Sequence, residues 1–550
     1  MRDRMLRIVS LMMTLTILAV TVTACGNDDN SNAGVGHSFK YTLVGNPDTL
    51  DPQLAVNASA KMVLANLFEG LFTIDDSGSV VPALVSEYSV SEDGLCYRMT
   101  LREDSYWYDA MHEDTPFSKE EKVAVNAMDF VCAFQRLFDP MYHSPYAEQF
   151  LCLENAQEIL NGKQDPTLIG VTANTLQELE IHLAYPNADF LQLLTLPAAL
   201  PCNEEYFEST KGRYGLDESS IIGNGPFAMQ RWLYDPYGKY NVIQLCRNPL
   251  AHEVSKISPV DLNFYIEKAD SDAENLFAQG STDCLVTTDS LSASADGVTV
   301  SGAYSLTLGL AASSNSPYSN PNIMQALTKS IDRTQFVSGQ GDVKPAYAVL
   351  PPAVMLLNKS VRELIAETAY LSYDVDAAES ALQAGMDDLD IMELPEGKIL
   401  VPTGLMDYEI LLNILEQWHT ALGVHMSLEE VSGSTYQSRI ASGNFDIALL
   451  AVTGENHEAQ SLFEAFLSNP AISCGNEATV RSLLADAAKA ADMTARVALY
   501  RKAEAEILAS DCFVPLFYKQ RYLLCREGVS EIVFNPFSGA LRFRDAKCKE

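Results

Sequence analysis

A chain of 550 residues with 37 Lys and Arg against 73 Asp and Glu, and with 47% hydrophobic side chains, describes a folded and strongly acidic protein, neither a disordered tail nor a fibre. Its formal charge of -36 excludes nucleic acid as a partner, because phosphates are repelled rather than neutralised. At about 150 residues per domain the length provides for roughly two to four domains and a large core.

The chain opens with Arg2, Arg4 and Arg7 and then the apolar run Ile8 to Val22, the layout of an export signal over residues 1–24. Val22-Thr23-Ala24-Cys25-Gly26 resembles a bacterial lipobox, which predicts cleavage before Cys25 and lipidation of that cysteine. Residues 25–36 are polar and rich in Gly and Asn, a flexible tether, so the fold is expected to begin at His37. Further on, the longest apolar candidate, Phe190 to Leu200, contains Pro197 and is too short to span a bilayer.

Strand patterning is expected over Phe39 to Val44, Ser86 to Val90 and Cys96 to Leu101, with a helix over Lys61 to Leu71. The spacing predicts helices over Ala127 to Phe138 and Tyr146 to Asn161, and a strand over Leu176 to Leu183. Pro226 to Arg247 reads as a hairpin around Asp235-Pro236-Tyr237-Gly238, and Val260 to Ile266 as a further strand. Helices follow at Pro321 to Thr334, Asp376 to Ala384 and Glu409 to Leu422, the last stopped by Gly423. His425 to Val431 and Phe445 to Val452 are strands, the second apolar enough to be covered on both faces. Val480 to Leu508 is expected to be the longest amphipathic helix, and the alternation of strands and helices gives an α/β class.

Catalytic signatures are missing. The sequence has no GxSxG, HExxH, GxxxxGK[ST] or GxGxxG, and no SxxK with partners, so neither nucleophilic nor nucleotide chemistry has support and no enzyme or cofactor is expected. The eight His are isolated, the closest pair being His419 and His425, expected on different faces or elements; no metal site is expected. Ten cysteines follow Cys25 without any CxxC pair; those in apolar settings, such as Cys132 and Cys525, read as buried thiols, and disulfide pairing is left open.

Asp48-Thr49-Leu50-Asp51-Pro52, Asn66-Leu67-Phe68-Glu69-Gly70-Leu71, Asp93-Gly94-Leu95-Cys96-Tyr97 and Asp129-Phe130-Val131 with Arg136 resemble the opening signatures of family 5 extracellular solute-binding proteins. Asp139-Pro140, Ser144-Pro145-Tyr146-Ala147 and Gln340-Gly341-Asp342 with Pro345-Ala346-Tyr347 resemble its oligopeptide-binding lipoproteins, and the similarity runs over roughly residues 40 to 545. Gly225-Pro226-Phe227, Gly443-Asn444-Phe445-Asp446 and Val514-Pro515-Leu516-Phe517-Tyr518 extend it.

The resemblance implies a two-lobed periplasmic-binding-protein-like fold with mixed sheets, a hinge and an extra inserted domain. It divides the chain into domain I at 37–82, 203–300 and 514–550, domain II at 83–202 and domain III at 301–513. In such proteins an extended peptide bonds through its backbone, and an acidic residue holds its free amine. Carried onto this chain, that acid is Glu455, beside backbone contacts at Val452, Thr453 and Gly454 and at Asn57, Ala58 and Ser59. Tyr146 and Tyr518 match aromatic positions near the cleft; the basic residues that hold a peptide carboxylate in some relatives have no match here, and Arg439 is the only nearby cation. Two departures stand out: Val452 replaces the family's Trp and Glu455 its Asp, and Ala110 to Val123 reads as a surface-loop insertion.

The function implied is a monomeric lipid-anchored receptor outside the cell membrane, periplasmic where an outer membrane exists, that delivers oligopeptides to the permease of an ABC importer. The alternatives are the same fold binding a non-peptide solute, or a surface sensor independent of transport.

Overall fold

The computed structural model describes residues 36–549 apart from 76–77, 113, 239, 290–296, 337–342, 357–358, 367–370, 407 and 491. The expected export signal, residues 1–24, and Cys25 lie outside the described residues, as do Gln340-Gly341-Asp342 of the resemblance. Residues from His37 to Glu550 form one compact unit.

Three larger sheets carry the fold. Ser38–Val44 pairs in parallel with Asp261–Glu267, which continues antiparallel through Val242–Arg247 to Phe227–Leu233. Val85–Val90, Cys96–Leu101, Glu178–His182 and Val171–Ala173 make a wholly antiparallel sheet in that order. The largest runs Cys284–Thr287, Val514–Arg526, Val298–Ala312, Ile447–Val452, Gly397–Pro402, Met426–Val431. Its last three strands are parallel and alternate with helices, and the others antiparallel.

The apolar residues collect into separate cores. The largest joins the first two sheets and runs from Phe39 through Trp107, Phe130 and Phe227 to Cys284, then resumes at Leu523 and Phe543 near the end of the chain. Two others cover the faces of the large sheet, one with Val452, Phe463 and Tyr500, the other with Leu310, Trp418 and Phe517. Two long strands, Val298–Ala312 and Val514–Arg526, are paired along their length, and the second contributes Leu516 and Phe517 to one core and Leu523 and Cys525 to another. Register shifts interrupt them between Tyr304 and Leu306 and between Leu308 and Gly309, where bulges bend the ribbon.

Several expectations match residue for residue or nearly so. Glu409–Leu422 is helical and ends on Gly423 at φ 67°, a left-handed stop that suits glycine. The hairpin after Pro226 forms, and Ile447–Val452 lies between two strands with five of its six residues buried.

Other expectations need correction. Tyr146 to Asn161 is not one helix but a 3-10 turn at Ala147–Phe150 and a short helix at Ala156–Leu160, separated by Asn155 at φ 66°. Val480 to Leu508 divides into Glu477–Lys489 and Met493–Ala509, because the Asp492 carboxylate accepts the backbone N–H groups of Thr494 and Ala495 and starts a new helix. The segment Ala110 to Val123 is a loop closed by the Tyr106 to Ala124 bridge; it is not wholly superficial, since Phe117 is buried edge-on against Tyr206. His419 and His425 do lie on different elements, the first in the helix Glu409–Leu422 and the second beyond its end, although the turn at Gly423 folds the chain back and brings their rings to 4.5 Å. Cys474 and Cys512 form a disulfide, a pair the sequence spacing could not single out.

Candidate solute cleft

The helix Ala58–Leu67 starts where the Asn57 side chain accepts the backbone N–H of Ala60 at 2.7 Å, satisfying one of the donors that a helix start leaves open. Its buried face packs into the largest core. Gly223 sets its depth, since a Cβ there would stand 2.3 Å from the Leu67 carbonyl oxygen. Lys61, Leu64 and Ala65 remain on the side that faces a cleft of about 1590 Å³.

The wall of that cleft includes three further groups. One is the two-stranded ribbon of Phe72–Ile74 and Val80–Pro82. A second is the loop from Glu455 to Glu458, which leaves the end of Ile447–Val452. The third is the C-terminal stretch from Val533 to Ala540. The volume exceeds the roughly 300–1,000 Å³ of an ordinary small-molecule pocket, so a ligand larger than an ordinary small molecule fits the space. Among the described lining residues, Lys61, Arg102, Arg542 and Arg544 stand against Glu69, Asp75, Glu253, Glu455, Glu458 and Asp545. The lining is therefore net acidic, as the chain as a whole is, and it offers both signs to a zwitterion.

Glu455 projects from a tightly packed loop. Its N–H donates to Ser461 Oγ at 2.8 Å, and Asn535 Nδ2 donates to its carbonyl at 2.8 Å. Gly454 permits this approach, because a Cβ there would meet Ser461 Oγ at 2.9 Å. The carboxylate is paired with Lys61, Nζ to Oε1 at 2.6 Å, and both side chains are largely buried. Arg521 also feels this charge: desolvation pushes its guanidinium down to about 10, opposed by Tyr41 and Glu455. Its Nη1 donates to the carbonyls of Pro536 and Phe537.

Of the ten residues singled out from sequence, Glu455 lies in the cleft lining. Val452 is buried in the strand, and Thr453 Oγ1 donates to the carbonyls of Ser305 at 3.0 Å and Phe537 at 3.3 Å. Gly454 and these two hold the acidic loop from behind. Asn57 caps the helix, and Ser59 Oγ donates to the Val44 carbonyl at 3.2 Å; neither these two nor Ala58 is among the lining residues.

Tyr146 is buried and its hydroxyl donates to the Ala55 carbonyl; burial first, then the charge of Glu455, raises its pKa. Tyr518 donates to the Ala348 carbonyl at 3.2 Å and is likewise buried. Arg439 sits on the helix Gly433–Ser442, bound to Glu429 at 2.6 Å and the Asn444 carbonyl at 2.8 Å, and does not line the cleft.

Sequence reasoning missed Lys61, Arg102 and Asn535. Arg102 pairs with Glu69 at 3.0 Å in the wall. Glu69, its partner, belongs to a motif that carries the resemblance, which was the available signal; Lys61 had none.

Among the described residues no helix is long and apolar enough to cross a membrane. The family model for bacterial extracellular solute-binding proteins, family 5 Middle, matches residues 79–473. The oligopeptide-binding protein OppA of Bacillus subtilis is 24% identical, with 98% of this chain and 99% of the relative covered. The periplasmic oligopeptide-binding protein OppA of Salmonella typhimurium is 26% identical over 88% of each. The solved structure of Listeria monocytogenes OppA bound to peptide superposes with a TM-score of 0.76 at 19% identity, covering 94% of this chain and all of that one. The fold is thus the α/β, two-lobed type with mixed sheets, and the cleft lies between residues of its separate cores. The match across most of the chain places this protein in family 5 of the bacterial extracellular solute-binding proteins, which are binders of transported solutes and not enzymes.

Proposed function

We propose that this protein captures oligopeptides in the cleft and delivers them to the permease of an ABC importer. The observation that carries the reading is the position of Glu455: a largely buried carboxylate in the wall of a large cleft, suited to a ligand ammonium. The adjoining ribbon of Phe72–Ile74 and Val80–Pro82 has strand edges that an extended backbone can pair with, a mode that tolerates varied side chains. The names of the relatives support the same cargo. In this reading Cys25 is lipidated, residues 25–36 tether a monomer to the outer face of the cell membrane, and domain III closes against domains I and II at the divisions given above.

A second reading has a specific observation in its favour. Lys61 already neutralises Glu455, which suits a solute without a free amine, such as a blocked peptide or a non-peptide. Native mass spectrometry of the gently purified protein, followed by denaturation and identification of what is released, separates the two. A ladder of short peptides supports the first reading, and a single non-peptide mass the second. Calorimetry then tests the acid: Glu455→Gln is expected to weaken peptides with free amines and to spare their acetylated forms, and equal loss for both removes Glu455 from the amine site.

A further inference from the structure

The antiparallel sheet that begins at Val85 carries, on the face turned from its core, side chains that the cleft does not use. Along Cys96–Leu101, Tyr97, Met99 and Leu101 are buried, so Cys96 and Arg98 stand on the opposite face. Cys96 is directly opposite His182 in the register. The Leu183 N–H donates to the Leu95 carbonyl at 2.8 Å, which makes Leu95 and Leu183 the hydrogen-bonded pair and Cys96 and His182 the neighbouring non-hydrogen-bonded one. That is the arrangement in which cross-strand side chains come closest. Glu180, two residues from His182, shares the face, and its Oε1 lies 2.7 Å from His182 Nε2.

One sulfur, one ring nitrogen and one carboxylate oxygen therefore converge, all within 4.8 Å of one another, the one such group of three among the described residues. We propose that Cys96, Glu180 and His182 form a zinc site on this sheet, separate from the solute cleft. Zinc takes Cys sulfur at about 2.3 Å and His nitrogen or carboxylate oxygen at about 2.0–2.2 Å in tetrahedral array, so closing the group asks for side-chain rotations of about an ångström. Water completes the fourth position.

A thiolate with an imidazole selects a borderline transition ion over calcium or magnesium, which prefer all-oxygen ligands. The remaining oxygen of Glu180 is held by Arg98 Nε at 2.8 Å and Asn174 Nδ2 at 3.3 Å, the outer contacts that orient a ligating carboxylate. On binding, the Cys96 S–H bond breaks, an S–Zn bond forms and the proton passes to solvent; no electrons are transferred.

The test is titration of the chelator-treated full chain with Zn²⁺ by calorimetry and with Co²⁺ as an optical probe. The expected result is one equivalent bound with a thiolate-to-cobalt charge-transfer band. Cys96→Ser is expected to remove the band, and His182→Ala to weaken binding by at least the roughly 10–100-fold that even outer-shell partners are worth. Both changes lie on an outer face, and thermal unfolding checks that the variants are folded; should Cys96→Ser fail that check, Glu180→Gln replaces it, with the same weakening expected. Absence of the cobalt band in the unaltered protein overturns the proposal. So does a band and stoichiometry unchanged by Cys96→Ser, which would assign the thiol to another cysteine such as Cys246 or Cys548.

Discussion

Lys61 Nζ and Glu455 Oε1 are 2.6 Å apart, although 394 residues separate them in the chain, and their pair joins the helix of one core to the loop that leaves the other. Glu455 has two possible partners in this cleft, the lysine or a ligand ammonium, and the lysine is covalently present. A peptide amine must therefore displace it. Lys61→Met is expected to tighten binding of free-amine peptides by about tenfold, a difference of roughly 1.4 kcal/mol, and to leave acetylated peptides unchanged. Isothermal titration of matched peptide pairs measures this. Equal affinity of variant and parent for the free-amine peptide would mean that Glu455 does not receive the amine.

A second tie between the cores lies away from the cleft lining. Asp189 precedes Phe190 of the largest core, and Arg496 precedes Tyr500 of another; the two side chains form a largely buried ion pair. Beside it the Ala188 N–H donates to the Ala488 carbonyl at 3.2 Å, and Lys489 Nζ stands 4.7 Å from the centre of the Tyr185 ring. If the lobes close as proposed, a ligand selects the closed state only through contacts made there, and this cluster would add ligand-independent ones. Asp189→Asn leaves Arg496 unpaired, at a cost of roughly 3–5 kcal/mol if the site stays buried. The expected outcome is a larger radius of gyration by small-angle scattering and weaker solute binding. A fall in melting temperature with unchanged dimensions and affinity would assign the pair to stability alone.

Burial gives Asp129 an unusual proton affinity. It sits in the core and accepts from Trp107 Nε1 at 3.0 Å, from the Asn126 N–H at 2.8 Å and from Asn203 at 3.3 Å. Desolvation outweighs these donors and pushes its carboxyl from the ordinary 3.8 up to about 6. The folded state therefore holds the proton more tightly than the unfolded chain. That contribution is complete below about pH 4 and is lost as pH rises through about 6, a change on the order of 3 kcal/mol. Chemical denaturation at a series of pH values is expected to show this decline, and Asp129→Asn to flatten it. An Asp129→Asn profile with the parent's slope would assign the decline to other groups.

Local patterns were legible where neighbours in sequence decide the structure. Glu409–Leu422 shows its apolar spacing and its stop, Gly423, in one window. Val480 to Leu508 kept helical spacing across residues 490 to 492, so the break depended on the Asp492 side chain turning back to cap the next helix. The long strands Val298–Ala312 and Val514–Arg526 carry no clean alternation, because parts of both are covered on two faces, and they were not anticipated as a pair. Glu455 was reached through resemblance. Lys61 and the grouping of Cys96 with Glu180 and His182 were not, since each arises from tertiary pairing that spacing alone does not express.

The disulfide between Cys474 and Cys512 ties the turn before Glu477–Lys489 to the residue after the helix Met493–Ala509 has ended, so it clamps the two helices at their outer ends. Its loop of 38 residues is long enough for the cross-link to remove substantial freedom from the unfolded chain. By chain entropy this amounts to about 4 kcal/mol, with roughly 2–4 kcal/mol typical of measured cases. The Cys474→Ala, Cys512→Ala double variant is expected to lose stability in that range by urea denaturation. The lost stability should concentrate in this helix pair, with faster amide exchange there than in the sheet Val85–Val90 to Val171–Ala173. A reduced parent as stable as the oxidised one would show that packing of Val480, Leu484, Tyr500 and Ile507 alone holds the pair.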